Sequence, residues 1–464
     1  MKSTSRLLFG VSAGICLWGI AEAVFGLQQV LGMRASRHAL FALTGHFRNP
    51  GPFGGFIACV MAVAGAWLLR SPEPAVRSEG RAASLLSRGM TGLAWLTFGL
   101  CFVVLPASMS RIGWLGLAVA LGIEALHRPD VRAWLRRRRG TVPLLGLAAA
   151  AALAGAFLLK PDSALGRLHI WRMELHALLA RPWTGAGPGR GAWAYGEAQE
   201  AFFRTHLPSV SPATVRVAGC PEYAFNEYLG LGMEYGIPAM LLFVLLLVSA
   251  VAVLRRCCRP LGAGLTAWGV VAFASYPLSV PQLRTFALVL AGAAVLAGVA
   301  EDRALLPAVS ALLLYGWMML VGGALPWQVD REEFRRLYAE GYALHQAGRY
   351  AESSELLEQG ALLSCDPMFE LILGKNAEEQ GNYGEAEALY ERAHCRVPSR
   401  LYPLVRRMRL QLRMGRDAEA LETARTIAAM PVNARHAGMS RLREETLKTL
   451  DSLENIKCPV PGLN

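Results

Sequence analysis

Residues 237–254 read IPAMLLFVLLLVSAVAVL, and residues 255–259 read RRCCR. Eighteen residues without a charge make a helix of about 27 Å at ~1.5 Å per residue, close to the ~30 Å of a bilayer's hydrocarbon core. The arginines that follow mark that end as cytoplasmic, because basic residues concentrate on the inner side of a membrane protein. Working outward, the same reading applies to eight further apolar runs, at about 7–30, 53–70, 89–107, 112–127, 141–159, 261–277, 284–300 and 304–326, of which 112–127 is the shortest. Ala21-Glu22-Ala23 imitates a signal-peptidase site. With so many spans after it, the first run reads as a retained helix. The composition agrees. Of 464 residues, 53% are hydrophobic and 18% charged, and the mean hydropathy is +0.32. Such a chain is too apolar for disorder and for an ordinary soluble enzyme. The expected fold is all-α: a polytopic membrane protein of about nine spans.

The surplus of positive charge, +12 overall, follows from topology. Lys2, Arg6, Arg77, Arg81, Arg88, Arg128, Arg132, the block Arg136–Arg139, Arg255, Arg256 and Arg259 all fall on one side if nine spans are crossed. The block is read as an anchor on anionic lipid, with no nucleic acid as partner. The loops 31–52, 108–111 and 160–235 and everything after about 327 then face outward. An inner-membrane protein with a periplasmic C-terminal domain is expected, its domains spanning 1–326, with the long loop 160–235 included, and 327–464. Nine cysteines occur without a CxxC or a zinc-like spacing. Cys220 falls outside by this topology and has Cys365, Cys395 and Cys458 as possible partners.

Residues 332–431 repeat. Gly348-Arg349-Tyr350, Gly381-Asn382-Tyr383 and Gly415-Arg416-Asp417 recur at intervals of 33 and 34, each followed by an Ala/Glu-rich helix and then by Pro367, Pro398 or Pro431. The pattern resembles the tetratricopeptide repeat, an α-solenoid of paired helices with a period of ~34 residues. Glycine closes the first helix of each pair and proline follows the second. The tail after about 440 is expected to cap the array. An envelope protein is the kind of partner such repeats bind.

The seven aspartates, at 130, 162, 302, 330, 366, 417 and 451, include no DxD pair, and neither GxxxxGK[ST] nor a Rossmann glycine pattern occurs. A metal-dependent nucleotide-sugar transferase, an ATPase and a dehydrogenase are therefore not expected, and no cofactor or metal site is read. The outward loops instead carry arginines and polar residues beside apolar runs. Arg111 lies between two closely spaced runs. An arginine in hydrocarbon costs roughly 2.5–3.5 kcal/mol or more. It either snorkels to the interface or clamps a phosphate through its guanidinium fork. In a predicted helix, Arg167, Trp171 and Glu174 fall on one face and His169, Arg172, Met173 and His176 on another. An interfacial helix anchored by tryptophan and a lipid-diphosphate site both fit. Residues 182–191, PWTGAGPGRG, are a glycine-rich turn, a weak anion cradle. Tyr223, Glu227 and Glu234 line the approach to the sixth run, and Glu22 inside the first run needs a partner, for which an arginine is the simplest choice.

Four stretches, TGHFRNPGPFGGFIA (44–58), SMSRIGWLGL (108–117), RLHIWRMELHALLARPWTGAGPG (167–189) and FNEYLGLGMEYGIPAMLLF (225–243), resemble in content and order the O-antigen ligase superfamily of ligases, polymerases and bacterial protein O-oligosaccharyltransferases. The resemblance covers roughly 1–326 and implies a GT-C-like fold. It implies metal-independent transfer of a glycan from an undecaprenyl-diphosphate carrier to an acceptor hydroxyl, of lipid A-core or of a protein Ser/Thr, at the periplasmic face. Arg111 matches the SxSR arginine and Arg167 the arginine before the long-loop tryptophan, so both are expected to bind the diphosphate. Arg172, Ser110, Trp171, His206, Asn226 and Asn49 are further candidates for binding carrier or glycan. The family's HN-type motif places a histidine, its proposed base, where this chain has Phe225, leaving Glu222, Glu227 or His206 as candidate bases. Fewer spans precede the first stretch than in family members. Polymerisation, and a non-catalytic anchor presenting the repeats, are the alternative functions.

Overall fold

The computed structural model describes residues 2–70, 81–138, 161–300, 303–430 and 437–457, with a few isolated positions between 139 and 160. The described residues are helical, with no strand among them. They form two compact units, Met1–Pro161 with Phe225–Trp327, and Asp162–Ala224 with Gln328–Asn464.

The first unit contains α1 (Lys2–Val30), α2 (Pro50–Leu68), α3 (Arg81–Ala107), α4 (Arg111–His127), the short α5 (Pro129–Arg137), and, after the second unit's insertion, α9 (Glu227–Cys257), α10 (Arg259–Phe273), α11 (Pro281–Ala300) and α12 (Leu305–Gly322). Eight of the nine apolar runs lie in these helices. The run 141–159 lies largely outside the described residues. Among the described residues six helices, in α1, α2, α3, α9, α11 and α12, are long and apolar enough to cross a membrane. This is a multi-pass membrane protein. α4 and α10, of 17 and 15 residues, fall below that length.

α2 is apolar all round and buried from Pro52 to Ala66, as a helix at the centre of a bundle is. It packs on α1, α3, α4 and α10. The outer helices keep leucines exposed, Leu85 and Leu96 on α3, Leu241 on α9, Leu312 and Leu320 on α12. Acyl chains are a good solvent for such surfaces. α9 breaks at Gly236 (φ 82°), two residues before Pro238, which can neither donate to the helix ladder nor accept a helical predecessor. At the basic end, Arg255 meets the buried Glu124 at 2.8 Å.

The second unit contains α6 (Pro161–Ala180), α7 (Gly191–His206), the one-turn α8 (Pro212–Val217) and the helices α13 (Glu333–Gln346), α14 (Tyr350–Ala361), α15 (Met368–Glu379), α16 (Tyr383–Arg396), α17 (Tyr402–Arg413), α18 (Asp417–Ala429) and α19 (Ala437–Lys457). α13 packs on α14, α15 on α16 and α17 on α18, each pair also touching the next, and α19 packs on α18. Gly348, Gly381 and Gly415 close the first helix of each pair at φ 75°, 82° and 73°, a conformation that glycine adopts without a Cβ penalty. Pro431 lies outside the described residues.

The expected domain 1–326 included the loop 160–235, but Asp162–Ala224 groups with the C-terminal helices. The reason is local chemistry. Cys220 and Cys365 form a disulfide, and Glu200 on α7 faces Arg396 on α16. Gln199 donates to the carbonyl of Arg396 and, at 3.0 Å, to that of Gly219. Of the other possible partners of Cys220, Cys395 is a buried free thiol pushed up to about 11 by desolvation, and Cys458 lies outside the described residues.

Candidate functional site

One end of the first unit gathers the polar groups of its loops. Three candidate residues there are helix caps. Asn49 accepts from the Gly51 amide at 3.0 Å, Ser110 from Gly113 at 3.3 Å, and Asn226 from Tyr228 and Leu229 at 3.0 and 3.1 Å. Each such cap stabilises its helix by about 0.5–2 kcal/mol. Their side-chain acceptors therefore serve the fold, and the amino termini of α2, α4 and α9 carry the positive ends of their helix dipoles. The first two touch. Ser110 Oγ donates to the Gly51 carbonyl at 3.0 Å, and a Cβ on Gly113 would stand 2.7 Å from the Gly54 carbonyl oxygen. Arg111 is the first residue of α4 at this junction.

Among the described residues two non-glycine residues have positive φ, Met109 (51°) and Phe225 (50°). Each stands immediately before a capping residue. Such conformations cost of order 1–3 kcal/mol and gather at functional sites. The Phe225 ring meets Tyr276 edge-on at 5.4 Å. Beside it, Glu227 accepts the Leu278 amide at 2.6 Å, and Arg284 donates to the Leu278 carbonyl at 3.3 Å while lying 5.8 Å from the Trp327 ring. Arg284 was not among the expected site residues. An arginine at the very start of the run 284–300 is the signal that marks it.

The loop 31–49 folds back into the bundle. Glu22 lies eight residues before the end of α1, about 12 Å along the axis at ~1.5 Å per residue. Its carboxylate accepts the His46 amide at 3.2 Å and meets His46 Nδ1 at 3.0 Å. The expected arginine partner is thus replaced by a histidine from the loop. Gln29 accepts the amides of Thr44 and Gly45 at 3.0 and 2.8 Å. Irregular backbone at membrane depth persists only where protein satisfies it, and Glu22 and Gln29 do so. Gly45 (φ 58°) is required here, since a Cβ would meet the Phe53 ring at 2.5 Å. The His46 carbonyl accepts from Arg37 at 2.9 Å and from Gln282 at 3.4 Å, tying the loop to the start of α11.

The remaining candidates belong to the second unit. Arg172 lies 4.6 Å from the Phe202 ring, and His206 stacks on the same ring at 4.9 Å. Glu222 pairs with Arg335 at 3.2 Å. Arg167 and Trp171 are half-buried on α6. Glu174, seven residues after Arg167, shares their face of α6 but is fully buried. His169, Met173 and Ala177 are buried as well, and His169 meets Gln199 of α7 at 2.8 Å. Burial holds the His169 imidazole below its usual value. The turn between α6 and α7 uses Gly185, Gly187 and Gly189 at positive φ, and a Cβ on Gly189 would stand 2.4 Å from Val329. Arg111 and Glu227 thus sit in one unit, and Arg167 and Glu222 in the other.

Residues 96–244 match the family model described as O-antigen ligase. No curated protein and no solved structure matches the chain. The matched stretch contains Ser110-Arg111, the whole segment Asp162–Ala224 and Asn226-Glu227.

Proposed function

We propose, for a chain that belongs to the O-antigen ligase superfamily by residues 96–244, that it moves a glycan from an undecaprenyl-diphosphate carrier to an acceptor hydroxyl at the periplasmic face of the inner membrane. The observation that carries this reading is Arg111 at the meeting point of two helix amino termini. A diphosphate leaving group gathers negative charge as the sugar–phosphate bond breaks, and fixed donors aimed at that charge are the largest source of rate. A guanidinium beside two positive dipole ends supplies them. Arg284 adds a second cation at the same end.

The acceptor is a hydroxyl of lipid A-core or of a protein. The disulfide Cys220–Cys365 supports a second unit in an oxidising compartment, which for a bacterium is the periplasm. The helix pairs closed by Gly348, Gly381 and Gly415 support a tetratricopeptide-like array there, with an envelope protein as its partner.

The test is complementation of a deletion strain with wild type, Arg111→Ala or Arg167→Ala, reading lipopolysaccharide ladders and glycoprotein blots together. Loss of the polymer-capped ladder alone identifies a lipid A-core ligase, and loss of glycoprotein alone a protein oligosaccharyltransferase. A ladder shortened to single repeat units identifies a polymerase. No change with either variant, at wild-type protein levels, overturns transfer in favour of an anchor.

A further inference from the structure

None of the three residues available as a base from the sequence is an imidazole backed by a carboxylate. Glu227 holds the Leu278 amide at 2.6 Å, Glu222 pairs with Arg335, and His206 Nδ1 bonds the Phe202 carbonyl oxygen at 3.0 Å. At the polar end of the first unit one histidine is built differently. The Glu22 carboxylate, its side chain 6% exposed, faces His46 Nδ1 at 3.0 Å, while the His46 side chain is 44% exposed. A carboxylate only accepts, so the proton of this contact resides on Nδ1, and in the neutral ring Nε2 presents a lone pair. Nε2 makes no hydrogen bond among the described residues. The second Glu22 oxygen accepts the His46 amide, and Phe25 covers one side of the ring at 3.9 Å between centroids. The imidazole is therefore fixed at its backbone, at Nδ1 and over its face, with one nitrogen open.

We infer that His46 is the general base of the transfer and that Glu22 is its positioning residue. This rests on the glycosyl-transfer reading above. A buried carboxylate behind an imidazole selects the tautomer, aims the free nitrogen and stabilises the imidazolium that forms. In the step, the acceptor O–H bond breaks and its proton passes to Nε2. The acceptor oxygen bonds the anomeric carbon of the glycan. The bond from that carbon to the carrier's phosphate oxygen breaks, and its electron pair leaves on the diphosphate. The imidazolium then returns its proton to water. The re-entrant loop has a purpose on this view: it brings a histidine down to a carboxylate that no residue at the membrane surface would reach.

The experiment uses the full chain in lipid nanodiscs with an undecaprenyl-diphosphate-linked glycan and the acceptor identified by complementation. His46→Gln and His46→Ala are expected to lose about 100-fold in kcat with the KM for donor within about threefold. Imidazole added to His46→Ala restores several-fold of the rate, and gives nothing to Arg111→Ala. Glu22→Gln loses about tenfold and Glu22→Asp regains part of it. Wild-type kcat in His46→Gln, or an imidazole-insensitive His46→Ala, overturns the base while leaving transfer intact. Failure of the wild type to transfer to either acceptor overturns the transfer reading, and the base falls with it.

Discussion

Arg396 donates to Glu370 at 2.8 Å, and the two side chains are 1% and 2% exposed. Glu200 of α7 approaches the same guanidinium at 3.4 Å, and burial pushes the Glu370 carboxyl above its ordinary value against the pull of Arg396. The loop segment and the helix pairs thus share one buried charge cluster. Removing one partner leaves an uncompensated charge, a cost of about 3–5 kcal/mol, whereas replacing both with apolar residues is near neutral. Arg396→Met should therefore lower the unfolding midpoint of the detergent-solubilised chain strongly. Arg396→Met with Glu370→Met should recover most of the loss, since Glu200 keeps Arg204 at 2.7 Å.

His394 supplies a pH dependence. Burial lowers its pKa to about 4 from an ordinary 6.5. Its Nδ1 has no hydrogen-bond partner among the described residues. Because the unfolded chain takes up the proton first, the neutral ring's contribution is complete above pH ~6.5. It is lost as pH falls from there to about 4, by roughly 3 kcal/mol in all. His394→Phe should flatten that slope in unfolding midpoints measured between pH 4 and 7.

Gly54 and Gly113 set the contact between α2 and α4. A Cβ on Gly54 would lie 2.2 Å from Ser108 Oγ and 2.4 Å from Ser110 Cβ, and one on Gly113 would press on backbone. Gly113→Ala has no flexible neighbour to yield, so it should cost about 1–3 kcal/mol and displace Arg111. We expect at least a tenfold loss of transfer in nanodisc assays with the protein still inserted. Gly122→Ala, where a Cβ meets nothing within 4 Å, is the control.

The disulfide spans 145 residues. Constraining an unfolded loop of that length stabilises by about 3–5 kcal/mol in the chain-entropy account. Cys220→Ser or Cys365→Ser should make the second unit protease-sensitive. In the wild type, peptides bearing the two cysteines should migrate together on non-reducing gels and part on reduction.

Much of this architecture was legible because membrane helices and repeat turns are local signals. The run 237–254 lies inside α9, and the glycines at 348, 381 and 415 stand where a left-handed turn is needed. Asn49, Ser110 and Asn226 were also found, but as caps, a role that short polar residues before an apolar run take as readily as substrate binding. What escaped was non-local. Glu22 meets His46 only because Gln29 and Gly45 turn the loop inward, and no periodicity encodes that. Glu200 and Arg396 stand 196 positions apart. The burial of Glu174 escaped because both sides of α6 carry apolar residues, Met173 and Ala177 buried and Leu168 and Leu175 exposed. Periodicity alone does not tell which side meets α7.

The second unit is discontinuous in sequence, with Phe225–Trp327 interposed between its two parts. Synthesis therefore delivers Tyr195, Gln199, Glu200 and Cys220 long before Cys365, Glu370 and Arg396 exist. The early part waits, its hydrogen-bonding and charged groups unmatched, while four more described helices of the first unit leave the ribosome. A nascent chain arrested after Trp327 has the described bundle helices and only the shorter part of its other unit. Quality control thus has a ready signal of completeness: an unpaired Cys220 reports that translation has not reached Cys365, beyond the end of α14.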